Sequence, residues 1–514
     1  MSRKYDLIVI GAGNGGLMTA CRAARMGLKV LVFERHNLPG GAASSFVRGR
    51  FEFDSALHEL PGFGMGEKSG DLGSIFDEMG IKRETLAIPN PFRYVAKTED
   101  GKKLMDITFP HGKEAVFDII QRECPEDVEC VEKVFMAAED IMKGLAYFGS
   151  THGNPDPKVL ERDHANFMRL LSMSIGEFFH AIGMSQKCIA IMSVYWPYQG
   201  ADIYTIDASR YLIMVNGFFL EGAFIPRHRA HMLSVAIVER ARQLGAEFRF
   251  CTEVTKILTK RGAVCGVEAG GEVFHCTAIA SNAFPEVVYS KLLDNTSLVP
   301  KFELQKANAR DYGFRGFCIY LGLDASPKEL GIKDYTIFIT NSLDSVKLFK
   351  GCADKDAANY QLNAVCLNIA NPTCSPEGTC IMVLTTSFTG DAWSDVTEED
   401  YYAVKDSIAD EMIETYERKV GIHIRDHIEE IEIATPVTFA HYMNSPQGSI
   451  YGYFSDTWDG MSSRTIAEAR EHTVPGLFFV GGHGTRCSGF VPTYLSGNQM
   501  AYPILGYVMG GGQS

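Results

Sequence analysis

The residues of this chain with the sharpest chemical meaning are a run of glycines, Gly11-Ala12-Gly13-Asn14-Gly15-Gly16, and an acid, Glu34, eighteen positions further on. In such a run Gly11 permits a tight turn. Gly13 lets the backbone approach a pyrophosphate, and Gly16 lets a helix pack closely on a strand. A helix opening there offers free N–H groups and the positive end of its dipole to phosphate oxygens. Glu34 stands where a carboxylate can accept hydrogen bonds from ribose hydroxyls. The chemistry is that of holding a dinucleotide. A second glycine pair, in Gly40-Gly41-Ala42-Ala43-Ser44, follows within a few residues. Backbone bare of side chains there can approach a second part of the same ligand.

Two other groups could do chemistry. Arg227-His228-Arg229-Ala230-His231 concentrates cations. Arginine's planar fork suits a carboxylate or phosphate, and histidine adds charge or a proton near neutrality. Three roles are open for it: recognition of an acidic group on a substrate, contact to the dinucleotide phosphates, or a solvated turn before a helix. His58-Glu59 is a titratable pair, either for proton transfer or as a packed histidine satisfied by backbone. His441-Tyr442 is a weaker candidate. Nucleophilic catalysis finds no support, since no GxSxG occurs. The thirteen cysteines are scattered without a CxxC pair, and Cys251, Cys265 and Cys276 fit no zinc spacing. No metal site is expected, and the thiols read as reduced, in a cytoplasmic protein.

The elements that must position these residues follow from apolar patterning. Tyr5–Ile10 reads as a strand, Gly16–Met26 as a helix and Lys29–Phe33 as a second strand, a βαβ unit. Val131, Val134, Phe135, Ala138, Ile141, Met142 and Leu145 fall at helical spacing. Further helices are expected at 163–182, 185–196, His231–Gly245 and 398–419. Strands are expected at Phe248–Lys260, Ala263–Ala269, Glu272–Ala280, Gly316–Gly322, Thr336–Thr340, Gln361–Ile369, Thr379–Ser387 and Pro475–Gly482. The methionines and phenylalanines between 167 and 219 suit either a hydrocarbon pocket or plain core.

The whole chain bounds these readings. Its 514 residues imply two or three domains. Hydrophobic residues make up 46% and charged residues 22%, an ordinary globular balance. A net charge of −14 argues against nucleic acid as a partner. No run of 18 apolar residues suggests a transmembrane helix, which leaves peripheral membrane contact open. The expected fold is α/β. A discontinuous nucleotide-binding Rossmann domain is assigned to 1–65, 231–300 and 470–514. An inserted mixed sheet-plus-helix substrate domain is assigned to 66–230 and 301–469.

Val9–Leu17, then Leu31-Val32-Phe33-Glu34-Arg35-His36 and Pro39-Gly40-Gly41, resembles the opening of phytoene desaturases, carotenoid isomerases and retinol saturases. Phe51–His58 is similar to the segment that follows in retinol saturases. Thr435-Pro436 with Gly448–Gly452, Pro475–Gly482, and Ser488–Pro492 with Ser496-Gly497 resemble motifs near the other end of that family. The resemblance implies an FAD-dependent oxidoreductase acting on C–C and C=C bonds of a lipophilic small molecule, isoprenoid, polyene or fatty-acid-like, with an unspecified electron donor or acceptor. It places the phosphates on Gly11, Gly13, Asn14, Gly15 and Gly16 and the ribose on Glu34, beside Arg35. It places the adenine at the backbone of Val254. The flavin would lie along Gly40, Gly41, Ala42, Gly481, Gly482, Val491 and Pro492. His58 or Glu59 would then move a proton opposite hydride transfer. Two departures bear on substrate and direction: Arg227-His228-Arg229 where relatives carry P-x-G-G, and Thr485-Arg486-Cys487-Ser488-Gly489 in place of a glycine-rich loop.

Overall fold

The computed structural model describes residues 4–64, 70–151, 155–454, 456–460, 463–464, 474–484 and 488–511. Thr485–Cys487, part of the second departure, lie outside them. The polypeptide builds two seven-stranded sheets, each drawing strands from distant parts of the sequence.

The first sheet starts from Lys4–Ile10, whose β-branched run is buried on both faces. Leu7 and Val9 pack with the helices Asn14–Arg25, Ala230–Gln243 and Phe490–Met509, while Ile8 and Ile10 join Ile257, Val264 and Val267 on the other side. A strand covered on both faces needs a continuous apolar run, not alternation. Lys4–Ile10 pairs in parallel with Val30–Phe33 on one side and with Glu272–Ser281 on the other. Leu477–Phe479 adds in parallel to the C-terminal half of Glu272–Ser281. The chain thus leaves the first strand in opposite directions. That creates a crevice at the carboxyl ends of the strands, where Gly11, Asn282 and Gly481 emerge, the usual place for a ligand in an open parallel sheet.

Here the sequence reading of one strand over Phe248–Lys260 is corrected. Glu247–Arg249 pairs with Val30–Phe33 at one edge, and Val254–Lys260 pairs with Ala263–Ala269 at the opposite edge. Cys251, with φ of 50°, turns the chain between them. Periodicity alone does not reveal a sharp turn at a non-glycine residue.

The second sheet has the order Ile428–Ala434, Arg315–Leu323, Cys380–Phe388, Gln361–Cys366, Thr336–Thr340, Phe92–Lys97, Lys103–Phe109. It is antiparallel except where Thr336–Thr340 meets Phe92–Lys97. Phe317, Ile319 and Leu321 face Met412 and Tyr416 of helix Tyr401–Val420, and the alternate Cys318 and Tyr320 face a second core. That second core also takes Val131, Val134, Phe135, Ala138 and Ile141 of helix Val128–Ser150, the stripe read from helical spacing. The helices expected over 163–182 and 185–196 are broken into Ala165–Leu170, Ile175–Ala181, Gln186–Met192 and Trp196–Gln199. Ser174 and Ser185 each begin a new helix by accepting a backbone N–H, the preference that makes serine a start signal. Among the described residues no helix is long and apolar enough to cross a membrane.

Candidate functional site

The glycines of the first motif converge with two other segments in the sheet crevice. Gly11 has φ of 93°, which a Cβ would disfavour. A Cβ on Gly13 would fall 2.4 Å from Asn282 Nδ2, one on Gly15 2.4 Å from Gly481 N, and one on Gly481 2.2 Å from Asn282 Oδ1. Only bare backbone lets the three strand ends meet. Gly40 N donates to Ala12 O at 2.8 Å, and a Cβ on Gly41 would touch Gly13 Cα at 3.4 Å. The two glycine motifs, some 25 positions apart in sequence, therefore form one wall.

Helix Asn14–Arg25 begins at Gly13 with no side-chain cap and no acid in its first turn. Its leading N–H groups lack a side-chain acceptor, and Asn14 Oδ1 is buried without a partner. This cradle fits the phosphates of a dinucleotide. Helix Phe490–Met509 also starts uncapped, at Gly489, with Val491 and Pro492 in its first turn. Arg210 Nη2 donates to Ser488 Oγ at 3.0 Å just before that turn.

Glu34 is a clamp in its own right. Its carboxylate accepts from Ala12 N at 2.7 Å and from His36 N at 2.8 Å, and its carbonyl accepts from Thr252 N at 2.9 Å. Val254, buried at the start of its strand, lies two residues beyond Thr252. Arg35 turns away from the cradle and donates to the carbonyls of His441 and Tyr442.

His58 and Glu59 lie in a loop tied at both ends to the residues assigned to the flavin. Ser55 Oγ donates to Ala42 O at 2.9 Å, and Gly62 stands against Val491. The two side chains have different fates. His58 Nε2 is 3.0 Å from Asp54 O, and burial pushes its imidazole down from the usual histidine range, as expected of a neutral packed histidine. Glu59 is 8% exposed. One carboxylate oxygen accepts from Thr336 Oγ1 and the other has no hydrogen-bond partner. The buried tyrosines Tyr195, Tyr198, Tyr335 and Tyr451 lie close enough to feel its charge. Burial pushes its carboxyl up to about 7, against the opposing pull of the Thr336 and Tyr198 hydroxyls. A carboxyl poised near neutrality can give or take a proton.

The basic cluster does not converge on Glu59. Arg227 Nε is 3.3 Å from Glu84 Oε2, with His228 on the same oxygen at 3.4 Å. Arg229 is buried, donates to Cys374 O, and has Glu52 at 3.6 Å. The three line an open groove of about 530 Å³ with Arg50, Glu52 and residues 373–376. Each arginine in it already has a carboxylate neighbour.

Sequence reasoning missed three parts of the site. Asn282 follows a parallel strand into the crevice, a position that strand order alone could have marked. The tyrosine cage has no local signal. Nor does the buried group behind Gly482: Arg464 donates to the carbonyls of Gly482 and Gly484, and Arg464 and Arg310 share the carboxylate of Asp459. His483, next to Gly482, packs on Phe284 with ring centroids 4.2 Å apart. Burial and the two arginines push its imidazole down to about 3.

Comparison with known proteins agrees with this geometry. Residues 9–78 match the NAD(P)-binding Rossmann-like domain family. The chain is 24% identical over 478 residues to all-trans-retinol 13,14-reductase of Danio rerio, covering 87% of this chain and 77% of that protein. It is 24% identical over 558 residues to the chloroplastic prolycopene isomerase of Daucus carota, covering 98% and 80%. An oxidoreductase from Methanosarcina mazei has the same fold, with a TM-score of 0.64, 16% identity, and coverage of 98% of this chain and all of that one. Over most of its length the chain is thus similar to proteins named retinol 13,14-reductase, prolycopene isomerase and phytoene desaturase, and it is an oxidoreductase. The glycine cradle and the Rossmann-like match fit a dinucleotide cofactor.

Proposed function

We propose that this oxidoreductase binds FAD and saturates or desaturates a carbon–carbon bond of an apolar, unsaturated substrate of isoprenoid, polyene or fatty-acid type. The observation that carries the reading is Glu59, an ionisable carboxyl in an aromatic cage, on a loop strung between Ala42 and Val491. Gly11–Gly16 and Glu34 would hold the pyrophosphate and ribose, and Gly40–Ala42, Gly481–Gly482 and Val491–Pro492 the flavin end. When bound, the flavin supplies hydride exchange with a substrate carbon. Glu59 serves the adjacent carbon. Protonated, it delivers a proton in saturation; ionised, it removes one in desaturation. The tyrosines exclude water and present flat apolar faces suited to a polyene. We assign the FAD-binding part to 1–65, 231–300 and 470–514 and the substrate part to 66–230 and 301–469.

Two measurements test this. Cofactor released from the purified protein should be FAD by mass, and Gly13→Glu should abolish its retention; FMN, or normal FAD content in a folded variant, would overturn the assignment. The flavin should also be bleached anaerobically by a desaturation substrate, or reoxidised after chemical reduction by a saturation substrate, from a panel of retinoids, carotenoids and unsaturated fatty acids. A flavin unmoved by the whole panel sinks the reading. Similarity to a prolycopene isomerase across 98% of this chain favours a second reading, double-bond isomerisation on reduced flavin. Consumption of a donor or acceptor in proportion to product separates the two.

A further inference from the structure

Far along the chain from the flavin cradle, two thiols and a carboxylate meet inside the helical layer. Cys124 closes helix Lys113–Glu123, Asp127 precedes helix Val128–Ser150, and Cys188 lies in the first turn of helix Gln186–Met192. All three are buried, Cys124 and Cys188 at 0% exposure and Asp127 at 2%. One donor atom from each lies within 4.8 Å of the other two. Asp127 is already held in place: one carboxylate oxygen accepts from Ser185 N at 2.8 Å and the other from Ser185 Oγ. Each oxygen keeps a lone pair, and such outer hydrogen bonds are what orient a metal-ligating carboxylate.

We propose that Cys124, Asp127 and Cys188 bind a thiophilic divalent cation of the zinc type, as a structural staple. Two sulfurs and one carboxylate oxygen match that ion's donor preference. Metal–sulfur and metal–oxygen bonds of about 2.3 and 2.0 Å bring donors to within about 4 Å of each other. The three groups need to close by about 1 Å or less from the observed spread. The fourth position falls to water or to Cys130, whose Sγ now donates to Ile182 O at 3.2 Å. On binding, two S–H bonds are replaced by metal–sulfur bonds and two protons leave to solvent; nothing is oxidised. The product carries one net negative charge, at the N-terminal end of the 23-residue helix Val128–Ser150, where the dipole favours an anion.

The staple has a mechanical consequence. Helix Gln186–Met192 runs directly into the turn and short helix that carry Tyr195 and Tyr198, two walls of the Glu59 cage. Joining that helix to the junction of the two before it would fix the cage from behind.

The test reads metal, not turnover. Flavin-loaded protein is equilibrated with Zn²⁺, stripped of loose metal on a weak chelating resin and analysed by inductively coupled plasma mass spectrometry. One equivalent per chain is expected, with sulfur neighbours in the zinc K-edge spectrum, and it should be lost in the Cys124→Ser/Cys188→Ser double variant. No retained zinc in the parent protein, or equal zinc in parent and variant, overturns the proposal. So does a Cys124–Cys188 disulfide in peptide maps of the protein as isolated. If the double variant does not fold, the parent decides: zinc-loaded protein should melt at a higher temperature than the chelator-treated form, and equal melting overturns the staple.

Discussion

At the scale of single residues, Glu59 concentrates the most chemistry, in a buried place. Its carboxyl is raised from the usual 4.5 to about 7, so between those values the folded protein binds a proton that the unfolded chain does not. Stability from this group therefore falls as pH rises from about 4.5 to about 7 and is level above, a loss of about 3 kcal/mol. Glu59→Gln should remove that slope, which urea midpoints at pH 5 and pH 8 for both proteins would show; parallel slopes refute the assignment. The activity limb near pH 7 tells direction. Saturation needs the protonated form and fails above it, whereas desaturation needs the carboxylate and fails below it. Glu34 makes a second residue-scale prediction. It ties Ala12 N and His36 N and is assigned to the ribose, so Glu34→Ala should weaken FAD binding by about 1.5–3 kcal/mol. Titration of the apoprotein measures it, and unchanged affinity would place the ribose elsewhere.

At the scale of elements, the turn into helix Ala230–Gln243 stands out. Arg229 has φ of 80° and ψ of 160°, a conformation that belongs to glycine and costs about 1–3 kcal/mol for other residues. The turn is held from several sides: Asp54 accepts from Ala230 N at 2.9 Å, Asn371 donates to Arg227 O at 2.8 Å, and Arg229 itself reaches Cys374 O. Arg229→Ala keeps the strain and loses the side-chain bonds. Arg229→Gly loses the same bonds but relieves the strain. Glycine should therefore be the more stable of the two by about 1 kcal/mol or more, the reverse of their order in ordinary backbone. Denaturant unfolding of both variants checks this. Alanine equal to or better than glycine would mean that the turn relaxes. Arg229 also faces Glu52 and lines a groove whose arginines each have a carboxylate neighbour. That argues for a clasp between segments more than for an empty anion receptor.

At the scale of the whole molecule, buried charge joins what the sequence keeps apart. Arg310, Asp459 and Arg464 have side chains no more than 7% exposed. Through Arg464 they brace the carbonyls of Gly482 and Gly484 beside the cradle. Asp459→Asn would leave two buried guanidiniums without their shared carboxylate, and breaking such a pair costs about 3–5 kcal/mol. A large fall in the unfolding midpoint, with weakened flavin retention, is expected. A fall within experimental error would show that water already solvates the group.

The sequence by itself determined the local parts. The strand, glycine run, helix and second strand from Lys4 to Phe33 were legible because their rules act over a few residues: apolar runs, bare backbone at a tight turn, and an acid at the next strand end. The stripe from Val131 to Ile141 was legible for the same reason. Tertiary structure alone decided what depends on partners hundreds of positions away. Asn282 meets Gly13 only because Glu272–Ser281 pairs beside Lys4–Ile10. Glu59 is raised near neutrality only because the fold buries it among segments from distant parts of the chain, and no local pattern encodes a desolvation energy. The single strand read over Phe248–Lys260 became two strands at opposite edges of one sheet. Propensity marks a segment as extended, but pairing decides where it goes.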